Sequence, residues 1–321
     1  MRKNFFKLAV AATLIGLFTS AALAQSWPNK TIKWIVPFPA GGATDIVSRV
    51  AAQQLSQALG QTVMVENVAG ASGAVGMDRL AKSSPDGYTI GTSANSVIAV
   101  MPYQSESPLP YDTIKSFTPI AGIASFQYVL NVSPQSGIKS VADLIAKAKA
   151  APGKLSFGSS GLGTGSHLAG IMISQKTGVT FTDVPYKGGA PALADLMGGH
   201  VDFVSDPVGG SMALIKAGKL LPIAMTGSKR HPAFPDVPLV GETVPGYEHD
   251  GWFGVYGPAG MPPAVVSRIS VEMAKIQKST EYLAALEKLG YEAWSLDSAA
   301  LSARQQMDLA QWGEILKKRK N

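Results

Sequence analysis

The chain has 321 residues, 46% of them hydrophobic and 16% charged, with no cysteine and a formal net charge of +6. That length suits about two domains of ordinary globular composition, and the missing thiols exclude both a disulfide framework and a thiolate metal site. The charge implies less than its size: Arg2, Lys3 and Lys7 carry three positive charges and Lys317, Lys318, Arg319 and Lys320 four more, leaving a body of net charge −1 with no basic face for nucleic acid.

Residues 1–24 have the parts of an export signal. Arg2, Lys3 and Lys7 precede an apolar run from Leu8 to Phe18, and Ala22-Leu23-Ala24 supplies the small-x-small cleavage pattern. The run is shorter than the ~20 residues a spanning helix needs, so the expectation is a periplasmic protein cleaved near Ala24. His167, His200, His231 and His249 lack metal-ligand spacing, and neither a metal nor another cofactor is expected.

Thr31 to Val36 reads as a strand, and Ile46 to Leu59 has apolar residues at helical spacing up to Gly60. Between them runs Pro37-Phe-Pro-Ala-Gly-Gly-Ala-Thr-Asp45. Gly41 and Gly42 allow a tight turn, Thr44 or Asp45 is expected to cap the helix, and the free N–H groups at the helix start suit an anion. An ordinary capped turn explains this stretch equally well on its own. Thr62 to Glu66 is a second strand, followed by glycines at 70, 73 and 76 that are assigned to packing because the dinucleotide fingerprint is absent. Met77 to Lys82 continues as a short helix, and Tyr88 to Thr92 is a third strand ending at Ser93-Ala94-Asn95-Ser96. Strands alternating with helices predict an open parallel sheet, with ligands beyond the strands' carboxyl ends, where Thr44 and Ser93 to Asn95 fall.

Met101 to Pro119 is rich in proline and polar residues, and Tyr128 to Val132 is strand-like. The α/β pattern then restarts: Ser140 caps a helix with Asp143 in the capping-box position, and Leu155 to Gly158 is a strand. A second glycine-rich turn, Gly158-Ser-Ser-Gly-Leu-Gly-Thr-Gly-Ser-His167, leads into a helix over Leu168 to Gln175. Pro185 to Gly189 opens a helix ending at Leu196, and Val201 to Ser205 is a strand ending at Asp206-Pro207. Lys229 to Gly246, broken by four prolines, is expected to wrap the surface, and Trp252 to Pro258 is a returning strand. Helices near Pro263 to Gln277, Glu281 to Leu289 and Ser298 to Lys318 close the chain.

Two enzymatic chemistries compete for the second turn. Ser160 and His167 suggest a hydrolase, but Gly158-Ser-Ser-Gly-Leu162 lacks the last glycine of a nucleophile elbow. Gly158 to Gly163 has P-loop glycine spacing, yet Thr164 stands where the phosphate-binding lysine belongs. With catalysis set aside, His167 reads as a packed polar or capping residue. Two glycine and hydroxyl turns, one per lobe, fit a binder that clamps a carboxylate between helix N-termini.

The motifs that carry a resemblance are Trp27-Pro28-x-Lys30, Val36-Pro-Phe-Pro-Ala-Gly-Gly-x-Thr-Asp45, Val65-Glu-Asn67 with the Gly70 and Gly73 turn, and Pro85-Asp-Gly-Tyr-Thr89. Phe157-Gly-Ser-Ser-Gly-x-Gly-Thr164, His167-Leu-Ala169 and Pro185-Tyr-Lys-Gly189 follow in order. In this set the chain resembles the solute-binding proteins of the tripartite tricarboxylate transporter family, the Bug receptors. The resemblance implies an α/β, two-lobed Venus flytrap of the periplasmic-binding-protein type (type II-like), each lobe a mostly parallel sheet flanked by helices. It implies lobe 1 from residues 25–126 plus 252–321 and lobe 2 from 127–251. It puts Phe38, Ala40, Gly42, Thr44 and Asp45 in one jaw and Ser159, Ser160, Gly163, Thr164 and His167 in the other, with Ser93 and Asp206 nearby. There is no catalytic residue in this reading.

The implied function is capture of a small organic carboxylate, aromatic or aliphatic, and its delivery by a monomer to membrane subunits of a tripartite transporter. The chain departs from the usual family wording at Ser93-Ala-Asn-Ser-Val-Ile98, a loop expected to shape the far end of the ligand, so the family's typical substrates do not transfer to it. Phe38, Phe126 and Tyr186 favour a flat aromatic acid such as terephthalate. A sensor or adaptor for a membrane kinase would use the same clamp, and a periplasmic serine hydrolase is the enzymatic rival.

Overall fold

The computed structural model describes residues 27–104 and 108–317; the expected signal peptide and the basic residues after Lys317 lie outside them. Strand β1 (Ile32–Val36) buries Ile32, Trp34, Ile35 and Val36, as a strand covered on both faces must. It lies between β2 (Val63–Asn67) and β3 (Thr89–Ala94), parallel to both. Helix α1 (Ala43–Leu59) covers them with Val47, Ala51 and Leu55 and stops at Gly60, which takes the left-handed φ of +65°. Helix α2 (Ala74–Ala81) follows the Gly70 turn. A Cβ on Gly76 would lie 2.7 Å from Pro37 Cα and Val68 O, so only glycine lets this helix press against the first turn.

A second parallel wing is built from β5 (Ser156–Ser159), β6 (Thr182–Pro185) and β7 (Phe203–Pro207). Its helices are α3 (Val141–Ala150), α4 (Gly165–Thr177), α5 (Gly189–Met197) and α6 (Val208–Lys216). The Ser140 hydroxyl caps α3 by accepting from Asp143 N–H at 3.1 Å.

Two long strands join the wings. β4 (Phe117–Val132) pairs antiparallel with β9 (Asp250–Pro258) from Phe117 to Gln127; from Tyr128 onward it pairs with β7 and with β8 (Leu221–Met225). The sheet order is β2-β1-β3-β9-β4-β7-β5-β6, with β8 and the short β10 (Glu292–Ala293) also on β4. Each wing is therefore parallel on its outer side and antiparallel at the crossover, because β4 and β9 must pass between them. Only the last five residues of β4 were legible as a strand. Pro119 and Gly122 are poor strand formers, and both register shifts in the pairing with β9 fall beside them.

Helices α7 (Pro263–Ile276), α8 (Thr280–Lys288) and α9 (Ser298–Lys317) return to the first wing. Trp252 Nε1 donates to Asp308 Oδ2 at 2.6 Å, and Tyr282 Oη donates to Ile123 O at 2.9 Å. The proline-broken stretch after Lys229 does wrap the second wing, but it also buries Val240, Val244 and Tyr247.

An aromatic cluster packs the crossover. Phe126 stacks on Phe253 at 5.0 Å, and Tyr128 stacks on His249 at 4.9 Å. Tyr128 Oη also occupies the space that a Cβ on Gly165, the first residue of α4, would need. Gly165→Ala is therefore expected to cost about 1–3 kcal/mol by overpacking, seen as a lower urea midpoint at unchanged m-value.

Candidate functional site

The first loop leaves β1 at Pro37 and enters α1. Gly41 has φ of +82°, and Gly42 is the N-cap, with no side chain capping the helix. The expected cap is thus corrected: Thr44 and Asp45 lie inside the first helical turn, both buried. Asp45 instead reaches back, its Oδ2 accepting from Gly41 N–H at 2.8 Å and Arg49 Nε at 3.0 Å, and its Oδ1 from Asn67 Nδ2 at 2.8 Å. Asn67 Nδ2 also donates to Phe38 O at 3.0 Å. Burial raises the Asp45 pKa, but the bonds from Arg49, Gly41 and Asn67, with the Arg49 charge, outweigh it and hold the carboxyl below its usual range. This anion braces the loop. No side chain caps the N–H groups at the start of α1.

The second loop runs from β5 to α4. Thr164 is the N-cap, accepting from His167 N–H at 3.3 Å and donating its own hydroxyl proton to Gly161 O at 2.7 Å. Ser160 N–H donates to Ser166 Oγ at 3.2 Å, and Ser166 Oγ donates to Ser205 O. Gly163 N–H donates to His167 Nδ1 at 3.1 Å. Several amides expected to face a ligand are therefore already used in shaping the loop.

A cavity of about 310 Å³ lies between these elements. Phe38 of the first loop and Ser160, Leu162, Gly163 and Thr164 of the second form opposing walls. Two further stretches complete it, one assigned from the sequence to packing and one lying largely in the loop expected to shape the far end of the ligand. The first is the Gly70 turn, which contributes Ala71, Ser72 and Ala74; Ala71 and Ser72 have φ of +45° and +53°, a strained left-handed pair at the cavity wall. The second is a π-helical turn over Ser96–Val100 that runs into the helical turn Met101–Gln104, contributing Ser96, Met101 and Gln104, with Leu109 beyond. None of these lining side chains is charged.

Of the expected site residues, Phe38, Ser160, Gly163 and Thr164 line the cavity, and Ala40 and Gly42 are exposed on the first loop. Thr44, Asp45, Ser93, Ser159, His167 and Asp206 are buried and are not among its lining residues. Ser93 Oγ donates to Ala94 O at 3.2 Å, and Asp206 Oδ2 accepts from Ser211 Oγ at 3.1 Å. Burial pushes the Asp206 carboxyl up to about 7, and its oxygens leave no space for a Cβ on Gly189 or Gly210. Phe126 belongs to the crossover cluster, and Tyr186 Oη donates to Asp195 Oδ2 at 2.7 Å. Phe38 is the one of the three aromatics among the cavity-lining residues.

The His167 Nδ1 accepts the Gly163 N–H and its Nε2 lies 3.0 Å from Asp183 Oδ2 outside hydrogen-bond geometry; with Nδ1 occupied and the ring buried against Asp183, the imidazole is not presented to Ser160 as a base.

The family described as "Tripartite tricarboxylate transporter family receptor" matches residues 47–321. The chain belongs to this family. The receptor is 35% identical over 260 residues to Protein BugT of Bordetella pertussis, covering 79% of this chain and 80% of that one. It superposes on R. palustris Rpa4515 with adipate at a TM-score of 0.84, 34% identity and coverage of 91% of this chain and 97% of the other. For the periplasmic binding protein BugD the TM-score is 0.80, at 32% identity and coverage of 91% and 98%. It is accordingly a periplasmic solute-binding receptor of the Bug type with a two-lobed α/β fold, and such receptors are not enzymes. Among the described residues, no helix is long and apolar enough to cross a membrane.

Proposed function

We propose that this receptor captures a small organic carboxylate in the cavity between its two glycine loops and passes it to the membrane subunits of a tripartite transporter. The observation that carries this reading is a cavity with no charged side chain among the described lining residues, walled on one side by Thr164, the N-cap of α4, and on the other by Phe38 of the loop that leads into α1. Such a site binds an anion through N–H groups, hydroxyls and bridging water, without an arginine clamp. The adipate in the R. palustris relative supports an aliphatic dicarboxylate, and Phe38 suits an aromatic acid. Phe38, Ser160, Gly163 and Thr164 touch the ligand in this reading, Ala40 and Gly42 offer backbone, and Thr44, Asp45, Ser93, Ser159, His167 and Asp206 shape the walls from behind.

The same proposal takes residues 25–126 plus 252–321 as one lobe and 127–251 as the other. The partner change of β4 at Gln127 and Tyr128 then serves as hinge. The exported monomer, freed of residues 1–24, closes on its ligand and excludes bulk water.

A thermal-shift screen over adipate, malate, terephthalate, benzoate and glutamate tests the class. At a hundredfold excess over Kd a bound ligand stabilises by about 2.7 kcal/mol, which raises Tm by several degrees. A panel in which sugars or peptides shift Tm and no carboxylate does would remove the reading.

A further inference from the structure

We propose that Asp183 is a positioning residue for ligand capture: through His167 it holds the Gly163 corner of the second loop in its binding shape. The inference rests on the reading of that loop as half of a ligand clamp. Gly163 lines the cavity with φ of +78°, and from the opposite wall the Gln104 amide fills the space where a Cβ would stand. The placement of this one residue therefore sets the gap between the Met101–Gln104 turn and the second loop.

The Gly163 N–H donates to His167 Nδ1 at 3.1 Å. A neutral imidazole that accepts at Nδ1 carries its proton on Nε2. Nε2 makes no hydrogen bond but lies 3.0 Å from Asp183 Oδ2, and a negative charge that close favours the tautomer with its proton on Nε2. The other tautomer would set two donors against each other at Gly163. The His167 side chain is 2% exposed, so bulk water cannot replace either contact. A second observation points the same way. Asp183 Oδ1 is buried without a hydrogen-bond partner, beside a cavity of about 170 Å³ walled by His167, Phe157 and Phe181. A carboxylate left half unsatisfied is a poor device for stability alone.

The test uses the ¹⁵N-labelled protein without ligand, followed by adipate titration. Long-range imidazole spectra should show His167 as the Nε2–H tautomer in the wild type and in Asp183→Asn, whose amide oxygen still accepts. In Asp183→Ala the tautomers should mix and the Gly163 amide should exchange at least tenfold faster, while amides of β1 and β9 keep their rates. Adipate affinity should fall about tenfold in Asp183→Ala and recover in Asp183→Asn. An Nδ1–H tautomer in the wild type, or equal Gly163 exchange in the alanine variant, would overturn the assignment. If the spectra behave as expected but the wild type binds no carboxylate, the positioning role stands and the carboxylate reading fails.

Discussion

Replacing Asp45 with alanine is expected to lower stability by about 2–4 kcal/mol and ligand affinity by at least tenfold. The carboxylate is 2% exposed and takes bonds from Gly41 N–H, Arg49 and Asn67. Alanine leaves those donors without their acceptor and frees Phe38 and Gly41 to move, so loss of binding accompanies loss of stability. The pH dependence supplies an independent check. Because the folded pKa of Asp45 lies below its unfolded value of 3.8, its contribution is present above that value and is lost as pH falls through the folded pKa. Urea titrations at pH 7 and pH 3 should therefore show a large gap between wild type and variant at pH 7 and a smaller one at pH 3. Equal gaps would mean that the charge of Asp45 contributes nothing.

Asp206 should behave in the opposite sense. Burial raises its carboxyl from 3.8 to about 7, so the folded state holds the proton more tightly than the unfolded chain. Stability then declines between about pH 4 and pH 7, and the full cost of the buried charge is present above pH 7. The shift corresponds to at most about 4 kcal/mol. Asp206→Asn removes the charge and keeps an oxygen for the Ser211 hydroxyl, so the variant should match the wild type near pH 4 and exceed it at pH 8. Asp250, also raised to about 7, first by burial and then by Glu248, slopes the curves of both proteins alike. A constant difference between the two proteins across this range would show that Asp206 is not the titrating group.

These two aspartates also show where sequence reasoning reached and where it stopped. The strand, glycine turn and helix around each loop were legible because local periodicity and turn residues specify them. Ser140 and Thr164 cap as small hydroxyl residues do. Asp45 was legible as a helix-start residue but not as a loop brace, because its partner Asn67 arrives on another strand. The first half of β4 was hidden for a related reason. Pro119 and Gly122 lower local strand propensity, and pairing with β9, more than 100 residues later, overrides it. The Gly70 turn was assigned to packing, and Gly76 does pack as expected. Only the fold reveals that Ala71 and Ser72 face the cavity. The segment holding Ser96–Val100 was expected to be a loop at the far end of the ligand, and its helical form was hidden because a π-helical turn has no simple sequence period.

The central claim is that an anion is held by backbone and hydroxyl groups in a cavity between the two loops that has no charged side chain among its described lining residues. Calorimetric titration of wild type and Leu162→Glu with adipate and with its neutral diamide tests it most directly. Leu162 lines the cavity yet is 63% exposed, so glutamate there adds a negative charge without disturbing the core. The wild type should bind adipate and ignore the diamide, and Leu162→Glu should keep its Tm and lose at least tenfold in adipate affinity. Equal binding of the diamide, or undiminished adipate binding by the glutamate variant, would contradict the claim.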